Sequence, residues 1–172
     1  YSVYNGLRQV SPKTDIVLVH DAARPLISPN VINNVISEVV RSGAAVAAVP
    51  VTNTIKVIGD DNMVVNTPDR NTLWMMQTPQ GFKKDLLVGA HEQARQDGYL
   101  GTDDASLVEH IGHPVRVVMG DYKNIKITSP DDLIYAEAIL GKKAVSKVKA
   151  EVSVAISNAF EEMKAKIFKT RI

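Results

Sequence analysis

Short apolar runs alternate along the chain with stretches in which apolar residues recur at helical spacing. The runs at 16–19 and 44–51 predict two strands that are buried on both faces. Residues 28–43 begin with Ser-Pro, which favours a helix start, carry apolar residues every three or four positions, and end in glycine. The pattern therefore predicts a strand–helix–strand unit whose two strands form a parallel pair.

A second pattern follows, with short strand-like runs at 54–58 and 63–67 on either side of the turn residues Gly-Asp-Asp-Asn. It predicts a β-hairpin arm at about 52–70 that projects from the domain. An isolated hairpin is only marginally stable in water. We therefore expect the arm to pack against something, and a second copy of the chain is a natural candidate.

Along the rest of the chain, strand-like apolar runs again alternate with stretches in which apolar residues recur at helical spacing. Strands are predicted at 115–119 and 124–128, and helices at 84–96, from about 102 to 111, from about 129 to 140 and from 145 to 167. Together these elements predict an α/β fold with a Rossmann-like, mostly parallel sheet, the protruding arm and an extra C-terminal helix.

The distribution of charged residues divides the chain into a domain and a basic tail. The 172 residues are 45% hydrophobic and 23% charged, which is ordinary for a globular protein with one core. Eight of the 20 basic residues but three of the 19 acidic residues follow Leu140. We therefore predict a domain at 1–141 and a basic amphipathic helical tail at 142–172. Cysteine is absent, which excludes disulfides and thiolate chemistry and favours the cytoplasm.

The first candidate for chemistry is a charged pair, Asp21 and Arg24, directly after the 16–19 strand. Ligands of open α/β sheets bind beyond the carboxyl ends of the strands, so a carboxylate and a guanidinium at this point indicate a site. Pro25 restricts Arg24 to an extended conformation. The alternative is a salt bridge on a surface loop.

Other charged and hydroxyl residues fall in loops and at predicted strand ends: Thr54, Arg70, Thr78, Thr102, Asp103, Asp121 and Lys126. Converging at one edge of a sheet, they would suit a phosphorylated, polyhydroxylated ligand. Each also has a structural interpretation, since Thr102 can cap a helix, Asp121 can form a turn and Thr54 can belong to the arm. No glycine-rich phosphate loop of known spacing occurs, and the His-Ile-Gly-His sequence at 110–113 ends a helix rather than opening one.

Six segments in order resemble one family, the 2-C-methyl-D-erythritol 4-phosphate cytidylyltransferases. They are Val-His-Asp-Ala-Ala-Arg-Pro at 19–25, Pro-Val-Thr-Asn-Thr-Ile-Lys at 50–56, Asp-Arg-Asn-Thr-Leu-Trp at 69–74, Thr-Pro-Gln-Gly-Phe at 78–82, Thr-Asp-Asp-Ala-Ser at 102–106 and Asn-Ile-Lys-Ile-Thr at 124–128. The resemblance covers about residues 1–140 and implies cytidylyl transfer from CTP to methylerythritol 4-phosphate, giving 4-diphosphocytidyl-2-C-methyl-D-erythritol and pyrophosphate. This reaction belongs to the non-mevalonate route of isoprenoid biosynthesis.

The resemblance also implies roles for individual residues. Asp21, Arg70 and Lys126 would be catalytic, and Asp21 would also lie near a magnesium or other divalent ion held mostly by the CTP phosphates. Substrate would be bound by Arg24, Thr54, Thr78, Thr102 and Asp103, and the nucleotide by Ser2, Asp21 and Ala22. The arm would wrap around a partner in a homodimer, so that Arg70 acts in the partner's site. Neither nucleic acid nor a membrane is an expected partner, and the location would be the cytoplasm, or the plastid stroma in a plant or alga.

The chain departs from the family pattern at its start. The family's first strand and basic, glycine-rich loop, which hold the CTP triphosphate and supply a catalytic lysine and arginine, have no counterpart in residues 1–172. We therefore expect a domain truncated at its N-terminus, and a chain that by itself is inactive or severely impaired in catalysis. Two alternatives stay open: a cytidylyltransferase for another polyol phosphate such as ribitol 5-phosphate, and a catalytically inactive remnant or engineered scaffold that acts in assembly.

Overall fold

A computed structural model describes residues 2–141. The predicted tail at 142–172, including its helix, lies outside the described residues, so the domain boundary after residue 141 stays a prediction. The chain divides into two compact units, Tyr1–Lys126 and Ile127–Ile172. The first contains the sheet and the candidate site, and of the second only residues 127–141 are described.

The helices described from residue 29 onward match predicted ones, whereas the strands differ from the prediction at two places. Helices are α1 (Ser2–Leu7), α2 (Pro29–Ser42), α3 (Lys84–Gln96), α4 (Asp104–His110) and α5 (Pro130–Leu140). Strands are β1 (Ile16–Val19), β2 (Ala44–Pro50), β3 (Val57–Ile58), β4 (Val64–Asn66), β5 (Trp74–Lys83) and β6 (Arg116–Met119), and a 3₁₀ turn spans Arg70–Thr72. No helix among these is long and apolar enough to span a bilayer.

The sheet is mixed and has the strand order β1-β5-β2-β6. Strand β5 runs antiparallel to both of its neighbours, whereas β2 and β6 are parallel. Thus β1, β2 and β6 share one direction, which confirms the α/β class. The predicted parallel pairing of the first two strands is wrong, however, because β5 lies between β1 and β2.

The core forms on both faces of β2, as its continuous apolar sequence predicts. Alternate residues of a strand point to opposite faces. Ala44 and Val46 belong to the cluster formed with helices α3 and α4, whereas Ala45 and Ala47 pack with helix α2. Helix α2 starts at the Ser28 cap and ends where the backbone N–H of Gly43, at φ +88°, donates to Val39. Strand β1 lies at the edge of this sheet, where it pairs with β5.

The arm is smaller than the sequence predicts. Strands β3 and β4 form a separate two-stranded sheet, and both are exposed along their whole length. The strand predicted at 124–128 is absent from the structure. Its first residue, Asn124, closes a turn by donating its backbone N–H to Asp121. The backbone carbonyl of Asn124 accepts from a side chain instead of a neighbouring strand.

Candidate functional site

Three charged side chains meet just beyond the carboxyl end of β1. The Oδ2 atom of Asp21 lies 3.2 Å from Nε of Arg24 and 3.2 Å from Nζ of Lys126. A turn in which the N–H of Arg24 donates to the carbonyl of Asp21 brings the first pair together. Asp21 and Arg24 are thus in contact, as both a ligand site and a surface salt bridge require, and Lys126 joins them from far along the chain.

The position of Lys126 follows from the path of the chain after β6. The N–H of Gly120 donates to the carbonyl of Ala48, which keeps the chain beside β2 at the same end of the sheet. The turn closed by Asn124 then leads to Lys126, whose side chain is 48% exposed. The ammonium group of Lys126 has three N–H donors. Among the described residues its ion-pair partner is Asp21. Two donors therefore remain for a ligand.

Asp21 is held as a carboxylate. Its partial burial by itself raises the pKa, but the hydrogen bonds and positive charges of Lys126 and Arg24 outweigh this and lower the pKa below the ordinary value of 3.8. The side chain of Asp21 is 32% exposed and that of Arg24 is 13% exposed. The pair thus combines a largely buried arginine side chain with a carboxylate that solvent or a ligand reaches.

Thr78 joins the cluster through its hydroxyl. The backbone N–H of Asp21 donates to Oγ1 of Thr78 over 2.9 Å, and the same oxygen lies 2.9 Å from Nδ1 of His20. The other ring nitrogen of His20 lies 3.2 Å from the carbonyl oxygen of Arg24. Strand β5 therefore contributes Thr78 to the site, next to a cis peptide bond between Thr78 and Pro79.

A network of hydrogen bonds from buried side-chain amides adjoins Arg24. Nη1 of Arg24 donates to the backbone carbonyl of Asn124 over 2.8 Å. The fully buried side-chain amide of Asn124 donates to the carbonyl of Thr78 (2.8 Å) and to Oε1 of Gln77 (3.3 Å). Gln77 in turn donates to the carbonyl of Asp121 over 2.9 Å. Strand β5 and the 121–124 turn are thus joined directly beneath the charged cluster.

Asp103 caps helix α4, a structural role that the sequence analysis did not distinguish from substrate binding. One carboxylate oxygen accepts from the N–H of Ser106 and caps helix α4, and the other accepts from the side chain of Gln80 over 2.7 Å. Thr102 precedes this cap and is exposed. The cap residue is therefore Asp103, and Thr102 presents its hydroxyl to solvent.

Other predicted site residues do not contact the charged cluster in the described chain. Thr54 is exposed on the arm, and Arg70 donates to the carbonyl of Thr52 over 3.1 Å. Ser2, the first residue of α1, and Ala22 are also exposed. Their roles in substrate or nucleotide binding stay predictions.

Asp21 is the residue that fits the divalent ion expected from the resemblance. Its Oδ2 atom is engaged by two cations, whereas Oδ1 has no hydrogen bond to any described residue. No group of three or more potential ligands of the Asp, Glu, His or Cys type occurs in the described residues. One carboxylate oxygen suits Mg²⁺, which is commonly bound through one or two carboxylates together with substrate phosphates and water.

Two supporting side chains, Gln77 and Asn124, were not identified from the sequence as site residues. No sequence signal marked Gln77, because neither β5 nor the burial of this one side chain within it follows from local pattern. His20 also has no role in the sequence analysis, yet its ring contacts both the carbonyl of Arg24 and the hydroxyl of Thr78.

Comparison with known proteins identifies the family. The family model for 2-C-methyl-D-erythritol 4-phosphate cytidylyltransferase matches residues 1–142. The chain belongs to this family. It is 54% identical over 139 residues to the cytidylyltransferase of that name from Pelotomaculum thermopropionicum, and 51% identical over 142 residues to that of Caldanaerobacter subterraneus subsp. tengcongensis. These alignments cover 81% and 83% of this chain, and 58% and 63% of the two relatives.

Solved structures of the family share the fold described above. The enzyme of Thermus thermophilus superimposes with a TM-score of 0.73 at 40% identity, over 80% of this chain and 66% of that structure. The 4-diphosphocytidyl-2C-methyl-D-erythritol synthase of Anaerococcus prevotii gives a TM-score of 0.76 at 36% identity, over 81% and 62%. This chain therefore spans about three fifths of the length of the relatives it matches.

Proposed function

We propose that this chain serves cytidylyl transfer from CTP to 2-C-methyl-D-erythritol 4-phosphate, and that the Asp21–Arg24–Lys126 cluster binds the acceptor. The observation that carries the proposal is this cluster, which lies at the carboxyl end of β1 in a chain about half identical to cytidylyltransferases of that specificity. A partly exposed carboxylate with two cationic partners and a lowered pKa, at the carboxyl end of a strand, is a candidate functional site on physical grounds.

Lys126 is the residue that contacts the negatively charged phosphate of the substrate. Its half-exposed ammonium has two uncommitted donors, so it can contact a phosphate while Asp21 holds its position. Arg24 differs, because its Nε and Nη1 atoms already donate to Asp21 and Asn124 and its side chain is largely buried. Arg24 therefore orients the carboxylate, and Lys126 stabilises charge on the ligand.

The proposed reaction needs no side-chain nucleophile. A phosphate oxygen of methylerythritol 4-phosphate attacks the α-phosphorus of CTP, the bond to the β-phosphate bridging oxygen breaks, and pyrophosphate leaves. A phosphomonoester has a second pKa near 6, so at neutral pH the attacking group is largely a dianion and no general base is required. Positioning and charge stabilisation carry such a reaction. A divalent ion beside Oδ1 of Asp21 would neutralise charge on the CTP phosphates.

Product formation tests the proposal. We would incubate the chain with MgCl₂, CTP and methylerythritol 4-phosphate, at a protein concentration close to that of the substrates. The product 4-diphosphocytidyl-2-C-methyl-D-erythritol is detected by mass spectrometry, and pyrophosphate by a coupled assay. Because the family's triphosphate-binding segment has no counterpart in this chain, we expect turnover far below that of a full-length relative. The product that does form should disappear in Lys126→Met and persist in Lys123→Met, an exposed lysine of the same loop. Binding of the acceptor without any product over many hours would contradict cytidylyl transfer by this chain.

We also propose that the arm mediates a homodimer. Its apolar residues are unusually accessible, with Met63, Val64 and Val65 exposed by 65%, 56% and 69%. Contiguous exposed apolar surface favours association. Sedimentation velocity should give a dimer that Val65→Lys dissociates, and a wild-type monomer at high micromolar concentration would contradict the proposal. The cytoplasmic location expected from the sequence stays a prediction.

A further inference from the structure

The ring of His20 makes two hydrogen bonds that together fix its tautomer. Nε2 lies 3.2 Å from the carbonyl oxygen of Arg24, and Nδ1 lies 2.9 Å from Oγ1 of Thr78. A carbonyl oxygen only accepts, so Nε2 carries a proton. In the neutral ring Nδ1 then has a lone pair, and the hydroxyl of Thr78 donates to it.

This arrangement decides what Thr78 can offer a ligand. A threonine hydroxyl has one proton and two lone pairs. The proton is directed to His20, and one lone pair accepts the backbone N–H of Asp21 over 2.9 Å. One lone pair remains. Thr78 therefore meets a ligand as a hydrogen-bond acceptor and not as a donor.

We propose that His20 is a positioning residue that holds the Thr78 hydroxyl as an acceptor for a hydroxyl group of the acceptor substrate. The inference rests on the proposed function, which supplies a polyol phosphate as the ligand. An ionised phosphate has only acceptor oxygens, so it cannot use the free lone pair of Thr78. A polyol hydroxyl can, because it donates. Thr78 thus recognises the polyol part, and Lys126 the charged part.

His20 also links this hydroxyl to the charged cluster. Its Nε2 bond holds the carbonyl of Arg24, whose side chain orients Asp21. One imidazole therefore positions both the Thr78 hydroxyl and the turn that carries the Asp–Arg pair. The two functions separate chemically, since the amide oxygen of asparagine can replace Nδ1 as an acceptor, whereas glutamine reaches far enough to replace the Nε2 donor.

Matched substitutions separate the two contacts. In calorimetric titrations with methylerythritol 4-phosphate, we expect His20→Asn to bind within about twofold of wild type and His20→Gln to bind about fivefold more weakly, the loss of one neutral hydrogen bond. Thr78→Val should weaken binding about fivefold in wild type but under about twofold in the His20→Gln background, because the hydroxyl is then no longer oriented. His113→Gln, at a half-buried histidine whose ring contacts the carbonyl of Pro114 and no member of the charged cluster, is the control and should leave binding unchanged.

Two results of these titrations would overturn the proposal. One is a His20→Gln protein that binds as well as wild type while Thr78→Val does not. The other is a double variant whose loss equals the product of the two single losses, which would show that His20 and Thr78 act independently.

The tautomer of His20 can also be measured in the absence of ligand. Long-range ¹H–¹⁵N spectra of the chain, at a pH where imidazole is ordinarily neutral, should show Nε2 protonated and Nδ1 unprotonated for His20. The opposite tautomer overturns the proposal and leaves the proposed function intact. The expected tautomer in a chain that does not bind methylerythritol 4-phosphate supports the arrangement of His20 and contradicts the proposed function instead.

Discussion

Replacing Asn124 by alanine should destabilise the protein far more than an ordinary polar substitution. The side chain is fully buried, and its amide donates to the carbonyl of Thr78 and to Gln77. Each lost hydrogen bond costs about 1 kcal/mol, and a buried acceptor left short of a donor costs about 1–3 kcal/mol. Gln77 still accepts the N–H of Asp121 over 3.3 Å, and Oδ1 of Asn124 has no partner to lose. We therefore expect a loss of about 2–4 kcal/mol.

Urea denaturation followed by circular dichroism measures this loss directly. For a chain of 172 residues, about 2–4 kcal/mol corresponds to a fall in Tm of about 4–16 °C. The control is Asn30→Ala, at an exposed position of helix α2, which should stay within about 0.5 kcal/mol of wild type.

One stability result would rule out this role of the Asn124 amide. If Asn124→Ala loses no more than Asn30→Ala, the amide network beneath the charged cluster does not stabilise the fold. A change in the denaturant slope rather than in the midpoint would instead show that the denatured state had changed.

Further predictions concern charge and packing. NMR titration should show the Asp21 carboxyl ionising below 3.8, and Lys126→Met should raise that pKa. Because the folded pKa is lowered, the ion pairs stabilise the fold above about pH 4 and lose this contribution as the pH falls further. The Asp132 carboxyl should ionise with a pKa of about 2, since the backbone N–H of the threonine before helix α5 and the hydroxyl of the next serine donate to it. In urea denaturation, Gly120→Ala should cost about 1–3 kcal/mol because its Cβ would overlap a buried glutamine side chain, whereas Gly89→Ala, in open space on helix α3, should gain about 1 kcal/mol.

Each of these expectations has a contrary outcome. An Asp21 pKa that does not respond to Lys126→Met would mean that the ion pair is absent in solution. An Asp132 carboxyl that titrates near 4 would contradict the cap at helix α5. Equal stability of the two glycine variants would contradict the close approach of the chain at Gly120.

Local pattern was sufficient for most helices and for β2. Helix α2 has its cap, its apolar stripe and its terminal glycine within one stretch, so neighbouring residues determine it. Strand β5 was not predicted, because two glutamines interrupt its apolar pattern and both are satisfied by residues distant in sequence. Its insertion between β1 and β2 depends on those non-local contacts, which periodicity does not report.

The candidate site was predictable to the extent that it is local. Asp21 and Arg24 are three residues apart, and their placement after a buried strand indicated the pair. Lys126 was a candidate as one of the charged residues in loops and at predicted strand ends, but its catalytic role came only from the family resemblance. Its contact with Asp21 was not predicted, since the two residues are distant in sequence. Asn124 was misassigned to a strand because Asn-Ile-Lys-Ile-Thr has strand-like alternation, whereas its backbone groups are used by a turn and by Arg24.

The most direct test of the central claim is the affinity of methylerythritol 4-phosphate for this chain, measured by isothermal titration calorimetry in wild type, Lys126→Met and Lys123→Met. We expect saturable binding to one site per chain, weakened about 10- to 100-fold by Lys126→Met, as the loss of a charged hydrogen bond requires, and unchanged in Lys123→Met. Equal affinities in all three proteins, or no binding by wild type at millimolar ligand, would contradict the assignment of the Asp21–Arg24–Lys126 cluster as the acceptor site.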